Sequence, residues 1–172
     1  AGPIGLSAIM GSKLFSPSRI IAIDLADTRL DAAKKFGADV VINNSRADAV
    51  AEAMAMTDGL GADVAIEAVG VPATFELATR LARPGGHIAN IGVHGEPATL
   101  HLEDLWIRNV TITTGLVDTS STPTLLRLAQ GHQMEVDRFI THHFTLDQFD
   151  EAYDVFSRAA DTGALKVVLT RS

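Results

Sequence analysis

The chain has 172 residues, of which 47% are hydrophobic and 20% are charged, and its formal net charge is −7. These proportions are typical of one globular domain, or of one domain and part of another, and they exclude a disordered chain. The acidic balance disfavours a nucleic-acid groove, the absence of cysteine excludes disulfide bonds and thiolate metal sites, and no apolar run is long enough to cross a membrane.

Short apolar strands and helices alternate through the first two thirds of the chain. The predicted helices are Ile4–Phe15, Asp27–Phe36, Ala47–Met56, Pro72–Leu81 and Leu102–Arg108. The predicted strands are Ile20–Asp24, Asp39–Ile42, Val64–Val69, His87–Ile91 and Val110–Leu116, with a turn at Pro84–Gly86. This alternation predicts an α/β protein with a doubly wound parallel sheet that is covered by helices on both faces.

The pattern changes after Gly115. A helix is predicted at Thr122–Gln130 and a strand at Phe139–Phe144. Thr145 and Gln148 then have the spacing of a capping box at the start of another helix, which continues to about Ala159. Ala164–Thr170 is predicted to be the last strand.

A glycine turn opens the chain. Gly2 and Gly5 have the spacing of the last two glycines in G-x-G-x-x-G, and a helix follows them. Glycine allows the backbone to approach a pyrophosphate, and a helix N-terminus offers it free N–H groups. A tight turn that binds nothing is the alternative interpretation.

Asp24 ends an apolar strand 19 residues after Gly5. A carboxylate at this place can accept hydrogen bonds from the adenosine ribose of a dinucleotide. It would repel a 2′-phosphate, and neither of the two following residues is basic, so NAD is preferred over NADP. A solvated aspartate, or the ribose-binding acid of a methyltransferase that uses S-adenosylmethionine, remains an alternative at this point.

Several segments of the chain match one known family in order and spacing. They are Gly2–Leu6, Ile20–Asp24, Arg29–Phe36, Lys35–Asp39, Gly61–Gly70, Leu81–Gly86 and Gly163–Leu169. On these segments the whole chain resembles the medium-chain dehydrogenase/reductase family, specifically its zinc-dependent alcohol dehydrogenases. The resemblance strongly disfavours the methyltransferase interpretation.

The resemblance implies a Rossmann fold in residues 1–115 that lacks its first strand. That strand would precede Ala1 and lie between the strands Ile20–Asp24 and Val64–Val69. Residues 116–172 would be a C-terminal return segment to a missing catalytic domain. We therefore expect the chain to be a fragment of a longer protein.

The resemblance also assigns residues to the cofactor. They are Gly2, Pro3, Ile4, Gly5, Asp24, Arg29, Val69, Gly70, Ile91, Gly92, Val93, Thr113, Thr114 and Lys166. The glycine turn and the lysine would bind the pyrophosphate, and the acid and the arginine the adenosine ribose. Val69 and Gly70, at the end of the strand Val64–Val69, would lie on the adenosine and ribose side. Ile91, Gly92 and Val93 would pack on the nicotinamide, and Thr113 and Thr114 would hold its carboxamide.

The family's activity is expected of the longer parent protein. It would oxidise an alcohol to an aldehyde or ketone, with zinc polarising the substrate oxygen and hydride passing to NAD. Zinc and substrate would bind in the missing N-terminal domain, so we assign no catalytic and no metal-ligating residue here and expect this chain alone to be inactive. A zinc-free, quinone-oxidoreductase-like member of the superfamily and a non-catalytic nucleotide-binding module are the alternatives.

The expected partners follow from this resemblance together with the charge and hydropathy of the chain. We expect a small-molecule alcohol or carbonyl substrate, no nucleic acid and no membrane, and a homodimer or homotetramer formed through the outermost strand, Val110–Leu116. The cytoplasm is the default location, because the first residues lack the basic region of a signal peptide. The sequence does not specify which alcohol is used.

The histidines do not indicate a metal site. His87, His94 and His101 recur every seven residues, but proline and glycine interrupt the stretch, so the spacing is interpreted as coincidence. His142 and His143 are adjacent in a predicted strand and should therefore point to opposite faces.

Overall fold

The computed structural model describes residues 1–171, which form two compact units. Residues 1–41 and the chain from residue 119 onward form the first unit, and residues 42–118 form the second. The division at residue 115 predicted above concerns the domains of a longer protein, and it stays a prediction.

The helices and strands alternate as the sequence predicts. The helices are α1 (Pro3–Lys13), α2 (Asp27–Phe36), α3 (Ala49–Ala55), α4 (Pro72–Leu81), α5 (Leu102–Leu105), α6 (Thr122–Gln130), α7 (Phe149–Ser157) and α8 (Ala159–Thr162). The strands are β1 (Ile21–Asp24), β2 (Val40–Asn43), β3 (Ala62–Glu67), β4 (Ala82–Asn90), β5 (Thr111–Thr114), β6 (Ile140–Thr145) and β7 (Lys166–Thr170). Short 3₁₀ turns lie at Trp106–Arg108, Val136–Phe139 and Leu146–Gln148.

The apolar core of the first unit explains its elements. α1 contributes Leu6, Ile9 and Met10, and α2 contributes Ala33 and Phe36. The rings of Phe36 and Phe139 pack with their centroids 4.7 Å apart, which joins α2 to the C-terminal part of the chain. β6 and β7 form a parallel pair, against which α7 packs.

Capping residues end and begin helices where the sequence predicts. Gly37 follows α2 with a φ of 111°, the left-handed conformation that favours glycine. Gln148 accepts a hydrogen bond from the Thr145 backbone N–H at 3.1 Å, so the predicted capping box is formed.

A three-stranded sheet forms the centre of the second unit. Its order is β3-β4-β5, and both pairs are parallel. α4 packs against β3 and β4, and buried Ile88 lies in the central strand. Parallel sheets with packed helices confirm the α/β prediction, and β5 occupies the predicted edge position. Its ladder spans Thr111–Thr114 rather than the predicted Val110–Leu116.

Within residues 1–171, β1 pairs with β2, and β3 pairs with β4 rather than with β1. The strand expected to precede Ala1 stays a prediction.

The predicted turn at Pro84–Gly86 is wrong as a strand boundary. Ala62 pairs with Ala82 and Val64 pairs with His87, so residues 83–86 bulge out opposite one residue of β3. Gly85 has a φ of 71°, which accommodates the bulge without ending β4. The backbone does leave the ladder at the predicted proline and glycines, but β4 continues on both sides of them.

Within residues 1–171, no helix combines the length and the apolar character that spanning a membrane would require.

The N-cap of α3 provides a test of local stability. Asp48 accepts hydrogen bonds from the backbone N–H groups of Val50 at 2.9 Å and Ala51 at 3.1 Å. Asp48→Ala should lower the free energy of unfolding by about 1 kcal/mol, because two helix donors lose their acceptor. Asp48→Asn keeps the acceptor and should remain close to wild type. Urea unfolding measures both, and equal stability of the two variants would contradict the assignment.

Candidate functional site

The glycine turn forms the start of α1. Gly2 is the N-cap, with extended backbone at φ −75° and ψ −172°, and Pro3 lies in the first turn. Within the described residues no side chain caps this end of the helix. A Cβ atom built at Gly2 or Gly5 would meet no heavy atom of residues 1–171 within 4 Å. Packing within residues 1–171 therefore does not require glycine at either position.

Asp24 lies at the end of β1 with its side chain only 10% exposed. Its Oδ1 accepts hydrogen bonds from the N–H groups of Leu25 at 2.7 Å and Ala26 at 3.0 Å. Its Oδ2 accepts one from the backbone nitrogen of Ala1, and the Arg29 guanidinium lies 3.9 Å from the same oxygen. Because each carboxylate oxygen has two lone pairs, Oδ2 retains acceptor capacity for a further donor.

The surroundings of Asp24 favour its charged form. Burial acts to raise the pKa of this carboxyl, while hydrogen bonds from the backbone N–H groups of Ala26 and Leu25 act to lower it. The group is therefore a carboxylate at neutral pH. Asp24 and Arg29, the predicted ribose acceptor and its predicted basic neighbour, lie near each other. Their contact with a ribose stays a prediction.

Lys166 begins β7 and is exposed. It lines an open cavity of about 490 Å³ together with Ser7 and Met10 of α1. The lysine thus lies on the same cavity as the helix whose first turn carries the two glycines. Its predicted contact with pyrophosphate stays a prediction.

The other predicted cofactor residues meet at one edge of the three-stranded sheet. Glu67, Asn90 and Thr114 are the last residues of β3, β4 and β5, and the ladders pair them in one row across the sheet. Just beyond this row, or at its end, lie Val69, Gly70, Ile91, Gly92, Val93, Thr113 and Thr114. The carboxyl edge of a parallel sheet is where α/β proteins bind ligands.

Exposed apolar side chains follow this row. Val69 is 59% exposed, Ile91 40% and Val93 81%. Thr113 and Thr114 are exposed as well. The edge therefore offers both apolar surface and hydroxyl groups, which suits a flat ring that carries a polar substituent.

A buried carboxylate, that of Glu67, accepts several hydrogen bonds at this edge of the sheet. Glu67 is 3% exposed, and its Oε1 accepts hydrogen bonds from Val69 N–H at 2.7 Å, Gly70 N–H at 2.8 Å and the Thr74 hydroxyl at 2.7 Å. Burial acts to raise the pKa of the Glu67 carboxyl, but these bonds and His94 nearby bring it below its ordinary value. Glu67 is therefore a buried carboxylate stabilised mainly by the turn that follows it.

Two glycines allow the loops after β3 and β4 to touch. Gly70 has a φ of 90°, and a Cβ there would overlap the carbonyl of Val93. A Cβ at Gly92 would overlap the Glu67 carboxylate and the backbone of Gly70. Both positions therefore require glycine for a reason within this unit.

Glu67, Thr74, Asn90 and His94 were not identified as site residues from the sequence. A signal was present for Glu67, since it is an acidic residue that ends an apolar strand just before a turn, as Asp24 is. His94 gave no such signal, because its spacing to His87 and His101 is coincidental: His87 lies on β4, His94 in the loop after it, and His101 beside α5. His142 and His143 differ in exposure, as expected for opposite faces of a strand.

The residues of this chain do not fit a catalytic zinc ion. The sequence contains no cysteine. In the part of the chain that the structure describes, His101, Glu103 and Asp104 place their ligand atoms within 4.8 Å of one another, but all three are exposed. His101 already contacts the Glu103 carboxylate at 2.8 Å, which raises the pKa of the imidazole. We therefore derive no chemical step from a metal held by these residues.

A parallel α/β sheet whose loops meet at its carboxyl edge is typical of nucleotide-binding proteins. A family model described as zinc-binding dehydrogenase matches residues 3–131. The chain belongs to this family.

Individual relatives agree with this assignment. An alcohol dehydrogenase of Cupriavidus necator is 37% identical over 172 residues, which cover 98% of this chain and 47% of the relative. The solved structure of zinc-dependent alcohol dehydrogenase 2 from Streptococcus pneumoniae, in its apo form, is 45% identical with a TM-score of 0.94, and the match covers 99% of this chain and 50% of that one. The chain thus spans about half the length of the relatives it matches.

Two further solved relatives contain nicotinamide cofactors. An alcohol dehydrogenase from Escherichia coli CFT073, in complex with NADH, is 27% identical with a TM-score of 0.89, and the match covers 98% of this chain and 50% of that one. A zinc-binding dehydrogenase from Sinorhizobium meliloti, bound to NADP, is 30% identical with a TM-score of 0.85, covering 98% and 49%.

The crowding at Gly92 can be tested by a single substitution. Gly92→Ala should lower the free energy of unfolding by about 1–3 kcal/mol, because its methyl group overlaps a buried carboxylate and backbone atoms. Gly95→Ala is the matched control in the same loop, where a Cβ would meet no described atom within 4 Å. Thermal unfolding of both variants is the measurement. A Gly92→Ala protein as stable as the Gly95→Ala protein would contradict the proposed packing.

Proposed function

We propose that this chain is the cofactor-binding part of an NAD-dependent, zinc-containing alcohol dehydrogenase. One observation carries the proposal: in a member of the zinc-binding dehydrogenase family, exposed loops and threonines meet at the carboxyl edge of a parallel sheet. NAD would supply the hydride acceptor when bound. This chain would bind and orient it, and the alcohol would be converted to an aldehyde or ketone.

Each group of residues has a distinct role in this proposal. The Gly2–Gly5 turn offers the pyrophosphate uncapped N–H groups at the positive end of the α1 dipole. Lys166 adds a positive charge for the same group. Asp24 accepts from the adenosine ribose, and Arg29 lies beside it.

The three-stranded sheet would receive the rest of the dinucleotide. Val69 and Gly70 would lie on its adenosine and ribose side. Ile91, Gly92 and Val93 would pack on the nicotinamide, and Thr113 and Thr114 would hold its carboxamide. The exposure of Ile91 and Val93 supports this role, since burying apolar surface under the ring would add to affinity.

The ionised state of Asp24 supports NAD rather than NADP. An aspartate is ionised at neutral pH, so a carboxylate would face the 2′ position and repel a phosphate there. Arg29 acts in the opposite direction, because a guanidinium can bind a 2′-phosphate. Arg29 is 46% exposed and lies 3.9 Å from Asp24, so solvent screens its charge more than that of the 10% exposed acid.

The zinc site would belong to another part of the protein, since the donors of residues 1–171 do not fit zinc. The substrate would bind in that part as well, beside the zinc. A small-molecule alcohol or carbonyl compound would be the substrate. The edge strand β5 would pair with its copy in a homodimer or homotetramer, because its outer side has no strand partner within residues 1–171. The cytoplasm remains the expected location.

Asp24 provides the test of cofactor choice. In the full-length protein, Asp24→Ala should weaken NAD binding by roughly 1–3 kcal/mol and relax discrimination against NADP, because a charge-assisted acceptor is lost. Asp31→Ala removes the same charge from an exposed position on α2 and should change neither quantity. Titration with NADH and NADPH measures both. A wild-type protein that prefers NADPH would show that the assignment is wrong.

Activity is the second test. The full-length protein should oxidise an alcohol with NAD, and a chelator should reduce the rate at least roughly a hundredfold, with recovery on adding zinc. The 172-residue chain alone should show no turnover with or without zinc. Full activity after complete zinc removal would favour a zinc-free reductase. Zinc-dependent turnover by the isolated chain would contradict the proposal that the zinc and substrate sites lie outside it.

A further inference from the structure

Two buried polar atoms of the second unit have no hydrogen-bond partner among residues 1–171. They are Oε2 of Glu67 and Nδ1 of His94. The two side chains face each other, with His94 Nε2 lying 3.5 Å from that same Glu67 oxygen. Such atoms are costly to bury, so their retention calls for a physical reason.

The contacts of His94 fix its orientation. Its Nε2 lies 2.9 Å from Oδ1 of Asn90, whose Nδ2 donates to the Gly92 carbonyl at 3.4 Å. Because both neighbours of Nε2 are acceptor oxygens, we place a hydrogen on Nε2. His94 thus links the end of β4 to the carboxylate at the end of β3. The edge of its ring also meets Phe75, with the centroids 6.1 Å apart.

Glu67 contacts one loop through its side chain and the other through its backbone carbonyl. Its carboxylate accepts from the loop after β3, through Val69 and Gly70. Its backbone carbonyl accepts from the loop after β4, through Ile91 N–H at 2.9 Å and Gly92 N–H at 3.2 Å. One residue therefore contacts both loops that the proposed function assigns to the cofactor.

We infer that Glu67 and His94 are positioning residues, which hold the Ile91–Val93 loop, proposed to pack on the nicotinamide, against the Val69–Gly70 turn, proposed to lie on the adenosine and ribose side. The inference rests on the proposed function. The Glu67 side chain is fully buried, so it acts through the backbone N–H groups that it accepts from. His94 acts through its contacts with Glu67 and Asn90. Because His94 contacts the end of β4, displacement of the Ile91–Val93 loop in a His94 variant would affect binding of the whole dinucleotide more than binding of its adenosine half.

The first measurement needs no cofactor. In the ligand-free full-length protein, Glu67→Gln should speed amide hydrogen exchange at Val69 and Gly70 about tenfold, because a neutral oxygen accepts roughly half as strongly as a carboxylate. His94→Ala should speed exchange at Ile91 and Gly92. Arg83→Ala is the control: it removes the exposed Asp63–Arg83 ion pair, which joins the same two strands at their other end. Unchanged exchange in the Glu67 and His94 variants would overturn the inference.

The second measurement compares two ligands. His94→Ala should raise the NADH dissociation constant about tenfold, which corresponds to about 1.4 kcal/mol, and leave the AMP dissociation constant within about twofold. His94→Gln should restore NADH binding to within about threefold, because its amide nitrogen can donate where Nε2 does. A merely structural role would weaken NADH and AMP equally, or would give no recovery with glutamine, and either result would overturn the inference.

The two hypotheses can fail separately. If the wild-type protein binds neither NADH nor NADPH, the proposed function is wrong, and hydrogen exchange still decides whether the pair holds the loops. If both Glu67→Gln and His94→Ala fail to fold while Arg83→Ala folds, the pair serves the fold as a whole, and the positioning role is overturned.

Discussion

A carboxylate buried at the end of β3 constrains the carboxyl edge of the three-stranded sheet. A charge in this environment must be satisfied by hydrogen bonds, and Glu67 obtains them from the turn that follows its own strand. The turn brings Gly70 against the loop after β4, which requires glycine at positions 70 and 92. The exposed apolar side chains of both loops are placed by these contacts, so one buried charge determines the shape of the surface proposed to receive the cofactor.

The chain uses an acid at a strand end twice, with different results. Asp24 and Glu67 each end an apolar strand, and each accepts from backbone N–H groups within three residues. Asp24 remains partly exposed and keeps acceptor capacity, which suits recognition of a ligand hydroxyl. The Glu67 side chain is fully buried, so it accepts hydrogen bonds from the adjacent turn and does not reach a ligand at the surface. Burial, rather than residue type, separates the two roles.

Patterns that depend on local chemistry were predictable from the sequence. Helix α2 and its left-handed Gly37, helix α4 and the Thr145 capping box all follow from short-range rules and occur where predicted. The bulge at residues 83–86 was not predictable, because turn residues can interrupt a strand without ending it and only the pairing decides between these outcomes. The Glu67–His94 contact was missed for a related reason: it joins residues 27 apart in sequence, which only the register of β3 against β4 brings together.

A structure of the full-length protein with bound NADH would test the central claim most directly, since it would show where the dinucleotide lies. The account predicts that the adenosine ribose hydroxyls contact the Asp24 carboxylate. It also predicts that the nicotinamide lies over Ile91–Val93 at the carboxyl edge of the β3-β4-β5 sheet, with the Glu67 contacts to Val69 and Gly70 intact. A cofactor bound away from that edge, or one whose ribose does not approach Asp24, would contradict it.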